Sequence, residues 1–373
     1  MELNDGLRVI LKGHLGWSKC RLVCFVGMLL ALVRLKHINL TQLALAFSSQ
    51  ADPKSRYRRL QRFFQYVVFD YDAIARLVMQ LFDFYGKSYY LTLDRTNWKW
   101  GEKNLNIFTL GIVYKGTAIP VYWLVLNKQG NSNQRERIAL LQRFIHQFGR
   151  SDILGLLGDR EFIGDLWWQW LSEQGIPYLI RMRENQLMTN HQGHERPVRT
   201  LFEDLKVGKS RSFRKTRRVG QQWVWLSGMK LNSGELLILA GNQKIPKSLA
   251  VYGLRWEIES LFQCLKGRGF HLEETRLTHY FRSKKVMALL VIAFCWVHKT
   301  GECKHKVIKP LKTKTHDRLE QSLFRYGLDY LTNSLLHGLH KAEDRFKLWV
   351  LFLCPPDMIT GNERDPRIIE LTL

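Results

Sequence analysis

Apolar residues recur at helical spacing in four segments near the N-terminus, at residues 22–35, 40–47, 60–68 and 74–84. Residues three and four positions apart share one face of a helix, so this pattern predicts amphipathic helices that pack their apolar faces together. Asn39 stands directly before the second segment and is a candidate N-cap. The pattern therefore predicts a helical domain over residues 1–85.

Two apolar runs, at residues 22–33 and 286–297, raise the question of a membrane span. A span needs about 20 apolar residues, and these shorter runs are bordered by Arg34 and by Lys284 and Lys299. We therefore expect two buried helices and no membrane partner. The N-terminus also lacks a cationic stretch followed by an apolar one, so no signal peptide is expected.

From residue 88 the pattern changes to runs of Val, Ile, Leu and aromatic residues, which favour strands. The predicted strands lie at residues 88–93, 106–114, 118–126, 153–157 and 177–182. The predicted helices between the later strands lie at residues 133–148 and 163–173. This βββ-α-β-α-β order predicts an α/β fold whose first part covers residues 86–184.

Residues 185–245 interrupt the α/β order, because they are first polar and basic and then alternate between apolar and polar positions. We interpret them as a β-rich insertion. A helix is predicted over residues 247–266, within a second part of the α/β domain at residues 246–300. Residues 301–373 are predicted to be helical, with a basic loop at residues 304–314 and an irregular tail after Pro355.

Charge adds the first functional indication. The 373 residues include 57 Lys and Arg against 33 Asp and Glu, which gives a net charge of +24. A field of this size attracts polyanions, and nucleic acid is the expected partner, with a generally basic surface as the alternative. The six cysteines form no CxxC pair, which indicates free thiols in a reducing cytosol.

A basic cluster within the N-terminal helical domain is a candidate DNA contact. It comprises Lys54, Arg56, Arg58, Arg59 and Arg62. Short helices with such a cluster are typical of a helix-turn-helix that binds DNA. A solvated face of a helical bundle is the alternative interpretation.

Three acidic residues occupy positions that suit catalysis. Asp94 ends the first predicted strand, Asp159 follows the fourth, and Glu259 lies in the helix after the insertion. Open α/β sheets bind ligands at their strand ends, so these carboxylates are expected to converge. Carboxylate oxygens suit Mg²⁺ or Mn²⁺, and two such ions support phosphoryl transfer.

The helix around Glu259 carries a more specific pattern. Tyr252, Arg255, Glu259 and Lys266 fall on one stripe about 60° wide on an ideal helix. One helix face would then present a phenol, a guanidinium, a carboxylate and an ammonium group. The alternative is an exposed helix in which Arg255 and Glu259 form an ordinary i,i+4 ion pair.

These residues carry a family resemblance. The Tyr252, Arg255, Glu259 and Lys266 spacing resembles the Y-R-E-K signature of the insertion-sequence-four family of DDE transposases. The segments Leu93-Asp94-Arg95-Thr96-Asn97-Trp98 and Gly158-Asp159-Arg160-Glu161-Phe162 resemble the first-Asp and second-Asp motifs of that family. The three blocks occur in the family's order and cover residues 88–270.

The resemblance implies an RNase H-like core in which Asp94, Asp159 and Glu259 bind two Mg²⁺ or Mn²⁺ ions. Tyr252, Arg255 and Lys266 would hold phosphates of the transposon end, and Trp256 would support the distorted DNA. The implied partners are double-stranded inverted repeats and target DNA, bound by a homodimer. No GxxxxGK[ST] motif occurs, so no nucleotide cofactor is expected.

Relatives cut DNA through a hairpin, which requires an aromatic residue that receives a flipped base. Trp223 and Trp225 in the insertion are candidates, with strand core as the alternative. The cluster of Trp167, Trp168 and Trp170 is interpreted as core packing.

Two other functions are compatible with the sequence. The first is a DNA-binding repressor that descends from a transposase and no longer cuts. The second is an RNase H-fold nuclease that acts alone.

Overall fold

The computed structural model describes residues 3–190, 192–315 and 319–337. The chain forms two compact units. The first contains the described residues of Met1–Tyr85, Asn97–Leu105 and Leu261–Leu373, and the second contains Gly86–Thr96 and Asn106–Ser260. The tail after Pro355 lies outside the described residues. The division into five segments expected from the sequence stays a prediction.

Helices build the first unit. They are α1 (Leu3–Leu15), α2 (Lys19–Leu35), α3 (Leu40–Ala46), α4 (Pro53–Tyr66), α5 (Tyr71–Leu81), α10 (Tyr280–Cys303) and α11 (Leu323–His337). The side chain of Asn39 accepts hydrogen bonds from the backbone N–H groups of Thr41 and Gln42, which confirms the predicted N-cap of α3. A π-helix at Lys304–Ile308 follows α10, so the first part of the predicted basic loop is helical.

Both apolar runs tested as membrane spans are core helices. The segment Tyr280–Ile308 is long and apolar enough to cross a membrane, but 89 % of its apolar window is buried inside the protein. The apolar stretch of α2 is also buried, including Phe25, Leu29 and Val33. These helices therefore form the hydrophobic core of the first unit, as the sequence predicts.

Two glycines allow the closest helix packing in this unit. A Cβ atom on Gly301 of α10 would lie 1.9 Å from the carbonyl oxygen of Leu323, and one on Gly327 of α11 would lie 1.9 Å from the carbonyl oxygen of Val297. Such distances exclude any side chain at either position. The backbones of α10 and α11 therefore contact each other directly at Gly301 and Gly327.

An eleven-stranded sheet organises the second unit. Its strands are β1 (Tyr89–Trp100), β2 (Lys103–Tyr114), β3 (Thr117–Leu126), β4 (Ile153–Gly158), β5 (Tyr178–Arg181), β6 (Leu187–Thr189), β7 (Glu195–Pro197), β8 (Ser210–Ser212), β9 (Arg217–Val219), β10 (Gln222–Lys230) and β11 (Leu236–Gly241). Helix α6 (Gln134–Phe148) separates β3 from β4, and α7 (Asp165–Glu173) separates β4 from β5.

The strand order is β3-β2-β1-β4-β5-β11-β10-β9-β6-β7, with β8 paired to β10. Strand β2 is antiparallel to β3, whereas β4 is parallel to both β1 and β5. This confirms the predicted α/β class and is consistent with an RNase H-like fold. Strands β6–β11 lie in the predicted insertion, and β11 pairs with β5, so the insertion extends the same sheet.

Two predicted element boundaries are wrong. Strand β1 does not end at Asp94 but continues to Trp100, because the aromatic and β-branched residues after Asp94 sustain extended backbone as far as the turn at Gly101, whose φ is 56°. The helix predicted over residues 247–266 is also interrupted. It consists of α8 (Ser248–Gly253), a 3₁₀ turn at Leu254–Trp256 and α9 (Glu257–Leu265).

Candidate active site

Asp94 lies on β1, and Asp159 directly follows β4, the parallel neighbour of β1. The register pairs Thr92 of β1 with Leu157 of β4, so each aspartate stands two residues beyond a paired position. Each carboxylate accepts a hydrogen bond from the backbone N–H of the next residue, at 2.7 Å for Asp94 and 2.6 Å for Asp159. Because adjacent strands lie about 4.8 Å apart, the register brings the two aspartates close together.

Tyr252 anchors the segment that carries the third acid. Its side chain is 3 % exposed and packs in one cluster with Leu157 of β4, Leu179 of β5 and Leu239 of β11. The 3₁₀ turn after α8 contacts β4. This packing places Arg255, in that turn, next to β4 and near the two aspartates.

Arg255 connects two of the three acids. Its Nη1 donates to Oδ2 of Asp94 at 3.3 Å, and its Nη2 donates to Oε1 of Glu259 at 2.6 Å. Asp159 interacts electrostatically with both Asp94 and Arg255. The structure therefore brings Asp94, Asp159 and Glu259 together around one guanidinium group.

The Arg255 side chain is only 6 % exposed. Burial alone would lower the pKa of Arg255, but Tyr252, Glu259 and the two aspartates outweigh it, so the pKa is raised. The guanidinium carbon also lies 5.1 Å from the ring centroid of Trp256. Arg255 is therefore a permanent cation that is held in place by carboxylates and by an aromatic face.

Burial changes the acidity of two further groups at the site. It raises the pKa of Asp94 to about 6, against the opposing effects of the Arg95 N–H and of Arg255, and with smaller raising contributions from Glu161 and Asp159. Burial also raises the pKa of Tyr252 well above its usual value. Tyr252 is consequently a neutral hydroxyl group at any physiological pH.

The carboxylate set fits a divalent cation by its chemistry, because Mg²⁺ and Mn²⁺ prefer hard oxygen ligands. Within the part of the chain that the structure describes, no three His, Cys, Asp or Glu side chains are already arranged as a coordination sphere. Arg255 lies between Asp94 and Glu259 and bonds to both. A cation shared by these two acids therefore requires the guanidinium to move aside.

Glu257 belongs to this site, although the sequence did not single it out. Its carboxylate accepts hydrogen bonds from the backbone N–H groups of Tyr114 at 2.7 Å and Gly116 at 3.0 Å, at the tip of the β2–β3 hairpin. Burial raises its pKa to about 7, while these two N–H groups lower it. Glu257 thus ties the start of α9, and with it Glu259, to the hairpin.

Two other predicted DNA contacts have different positions. Trp256 is 58 % exposed, so one face of its ring is available to a ligand while the other lies near Arg255. Lys266 belongs to the first unit. There its ammonium group donates to the carbonyl of Asn97 at 3.3 Å and lies 5.7 Å from the ring of Trp98.

The basic cluster of the first unit lies on α4, after α3 and a short turn. Arg58, Arg59 and Arg62 are exposed, and Arg59 also stacks over the ring of Phe47 at 5.5 Å. Arg56 differs, because its guanidinium donates to the carbonyls of Leu45 and Phe47 at the end of α3. It therefore fixes the turn between the two helices.

The tryptophans divide into core and surface groups. Trp167 and Trp168 are fully buried, which confirms the predicted core packing. Trp223 is 61 % exposed, so its interpretation as strand core is wrong. It stands opposite Arg218 on the β9–β10 hairpin. Trp225 is half-buried.

Comparison with known proteins adds three findings. A protein-family model described as "Transposase DDE domain" matches residues 87–296. No curated protein matches the chain. The chain is similar to a solved structure described as "Cryo-EM structure of piggyBac transposase synaptic complex with hairpin DNA", with 12 % sequence identity and a TM-score of 0.48 over 95 % of this chain and 76 % of that chain.

Proposed function

The chain belongs to the transposase DDE domain family, and from that premise we propose that it is the transposase of an insertion sequence of the insertion-sequence-four type. It binds terminal inverted repeats, cleaves the transposon ends through a DNA hairpin and joins them to target DNA. It acts in the cytoplasm as a homodimer that holds two ends.

One observation carries this proposal. Arg255 bonds to Asp94 and to Glu259, and Asp159 acts electrostatically on both Arg255 and Asp94. Residues that are distant in the sequence thus form one acidic site beside the middle of β1 and the end of β4. A fold unrelated to these transposases is not expected to place the three acids side by side.

Transposase DDE domains use divalent metal ions, and we assign Asp94, Asp159 and Glu259 as the ligands of two Mg²⁺ or Mn²⁺ ions. When bound, such ions stabilise charge on the attacking and leaving oxygens of phosphoryl transfer. The chain's own residues then orient the DNA. The planar guanidinium group of Arg255 has a fork of two parallel N–H donors, which suits two phosphate oxygens. The neutral hydroxyl of Tyr252 can donate to a third.

The remaining predicted contacts extend along the DNA. Lys266 supplies a mobile positive charge for phosphate, and the exposed ring of Trp256 supports the end of the duplex. The exposed arginines of α4 suit the phosphate backbone and groove of the inverted repeat. The net charge of +24 favours association with DNA at long range.

The proposal is tested with labelled duplexes taken from the two DNA flanks of the gene that encodes this chain, incubated with purified protein and Mg²⁺. We expect strand-specific nicks at one flank position, followed by hairpins and joined products on a denaturing gel. Binding without nicks would identify a repressor instead. Cutting without end specificity or joined products would identify a simple nuclease.

The exposed arginines of α4 give a separate prediction. Arg58→Gln and Arg62→Gln are each expected to reduce the slope of log affinity against log salt concentration by about 1, because each arginine releases roughly one counterion from DNA. Filter binding to a repeat-end duplex at several salt concentrations measures the slope. The control is Arg325→Gln. Arg325 is an exposed arginine on α11 that pairs with Asp329, and its replacement should leave the slope unchanged.

A further inference from the structure

Arg95 and Glu161 form an ion pair directly behind the two aspartates. Arg95 follows Asp94 on β1, and Glu161 lies in the 3₁₀ turn Arg160–Phe162, which Asp159 caps. The Nε of Arg95 lies 2.9 Å from both carboxylate oxygens of Glu161, and Nη2 lies 2.8 Å from Oε2. The pair therefore links the backbone that carries Asp94 to the backbone that carries Asp159.

Every nitrogen of the Arg95 guanidinium group donates a hydrogen bond inside the protein. Besides Glu161, its guanidinium donates to the carbonyl of Gly130 at 2.9 Å, to Oδ1 of Asn131 at 2.7 Å and to Oδ1 of Asn106 at 3.3 Å. A phosphate could bind this guanidinium only by displacing one of those partners. Each guanidinium nitrogen of Arg95 is thus already bonded inside the protein, although Arg95 stands next to a proposed metal ligand in a DNA-binding protein.

Glu161 is fixed on its other side as well. The hydroxyl of Ser132 donates to its Oε1 at 3.3 Å, and Nη2 of Arg137 donates to its backbone carbonyl at 2.8 Å. Arg137 is 4 % exposed and also donates to the Ser132 hydroxyl and carbonyl. The ion pair therefore stands on a buried network that joins β1, the loop before α6, and α6 itself.

We propose that Arg95 and Glu161 are positioning residues whose ion pair sets the spacing between Asp94 and Asp159 for divalent cations. This inference rests on the proposed function, because it takes the two aspartates as metal ligands. Two carboxylates repel each other until a cation binds. The folded protein must therefore hold them together against this repulsion, which costs free energy of folding. Displacements of about 1 Å are enough to impair a metal site, and partners behind the ligands prevent them.

The test measures Mn²⁺ binding by calorimetry on the full-length protein without DNA, and end binding in EDTA. Arg95→Lys keeps the charge but loses the fork, and Glu161→Gln keeps the shape but loses the charge. Each is expected to raise the Kd for Mn²⁺ by about 10- to 100-fold, as loss of partners behind metal ligands usually does. End binding should stay within about twofold of wild type, because every guanidinium nitrogen of Arg95 already has an acceptor inside the protein and the carboxylate of Glu161 repels phosphate.

The double variant distinguishes the loss of one shared ion pair from two independent effects of Arg95 and Glu161. Arg95→Lys with Glu161→Gln should weaken Mn²⁺ binding about as much as either single change, because both break the same pair. Asp204→Ala is the matched control. It breaks the two-bond pair between Asp204 and Arg211 in the insertion, at 2.6 and 2.8 Å, and should leave the Kd for Mn²⁺ unchanged.

Unchanged Mn²⁺ affinity in folded Arg95→Lys and Glu161→Gln proteins would overturn the inference. So would a loss of end binding with normal Mn²⁺ affinity, which would make Arg95 a DNA contact. If thermal unfolding shows that these variants do not fold, Ser132→Ala is the milder change. It removes the hydroxyl bond to Glu161 and the acceptor of Arg137 Nε, and it should still raise the Kd two- to threefold, by about the weight of one hydrogen bond. Weakened Mn²⁺ binding in a protein whose wild type never cuts DNA would support the inference and refute the proposed function.

Discussion

Replacing Glu259 by Gln is expected to reduce DNA cutting by about a thousandfold, because a bound metal ion stabilises the transition state by several kcal/mol and each 1.4 kcal/mol is tenfold in rate. Gln keeps the size of the side chain and can still accept the hydrogen bond that Arg255 donates to Oε1. Folding and end binding should therefore remain. Single-turnover cutting of a repeat-end duplex, beside a binding assay in Ca²⁺, measures both properties.

Glu173→Gln is the matched control for this change. Glu173 is an exposed glutamate on α7 that accepts a hydrogen bond from Gln169, so its replacement should alter neither cutting nor binding. Equal losses of cutting and end binding in Glu259→Gln would contradict a metal-ligand role, because a ligand acts on the reaction more than on the DNA complex.

Replacing Arg255 by Met is expected to slow cutting about a hundredfold, comparable to the loss of one positioned donor at a developing charge. It should also shift the acid limb of the pH–rate profile, where the cutting rate falls with falling pH, to higher pH. Burial already raises the pKa of Asp94 to about 6, and Arg255 is one of the groups that oppose this rise. Without Arg255 the pKa rises further, so Asp94 becomes protonated, and unable to bind a cation, at higher pH.

The measurement is the cutting rate from pH 5 to 9 at a fixed, subsaturating Mg²⁺ concentration. Wild-type activity should fall as the pH drops below about 6, and that of Arg255→Met should begin to fall at higher pH. Arg255→Lys keeps the charge but loses the fork, so its rate should drop while its acid limb stays near that of wild type. An acid limb that moves to lower pH in Arg255→Met would refute this electrostatic role.

Several elements of the fold follow from local pattern. The runs of Val, Ile, Leu and aromatic residues at β2, β3 and β4 and the Asn39 cap of α3 depend only on residues near them in the chain, so the sequence suffices to predict them. The apolar stretches of α2 and α10 were also predictable as buried helices. Their apolar runs fall short of the roughly 20 residues that a span needs, although for the whole segment Tyr280–Ile308 only its burial inside the protein distinguishes a core helix from a span.

Other features depend on partners far along the chain. Whether Trp223 is covered depends on which strands flank β10, and whether the segment after Lys247 forms one helix depends on how Tyr252 packs against β4, β5 and β11. The contact of Glu257 with the β2–β3 hairpin joins residues separated by more than 140 positions. Local periodicity contains no information about such contacts.

The sequence by itself determined the class of fold and the basic character of the protein, and it predicted the three acids from their motifs, because each of these is read from short stretches of sequence or from the total charge. Only the tertiary structure decided that Arg255 lies between Asp94 and Glu259, and that Arg95 pairs with Glu161. The physical reason is that a guanidinium group has five donors and many possible acceptors. Which acceptors it meets is settled by packing between distant segments, not by its neighbours in the chain.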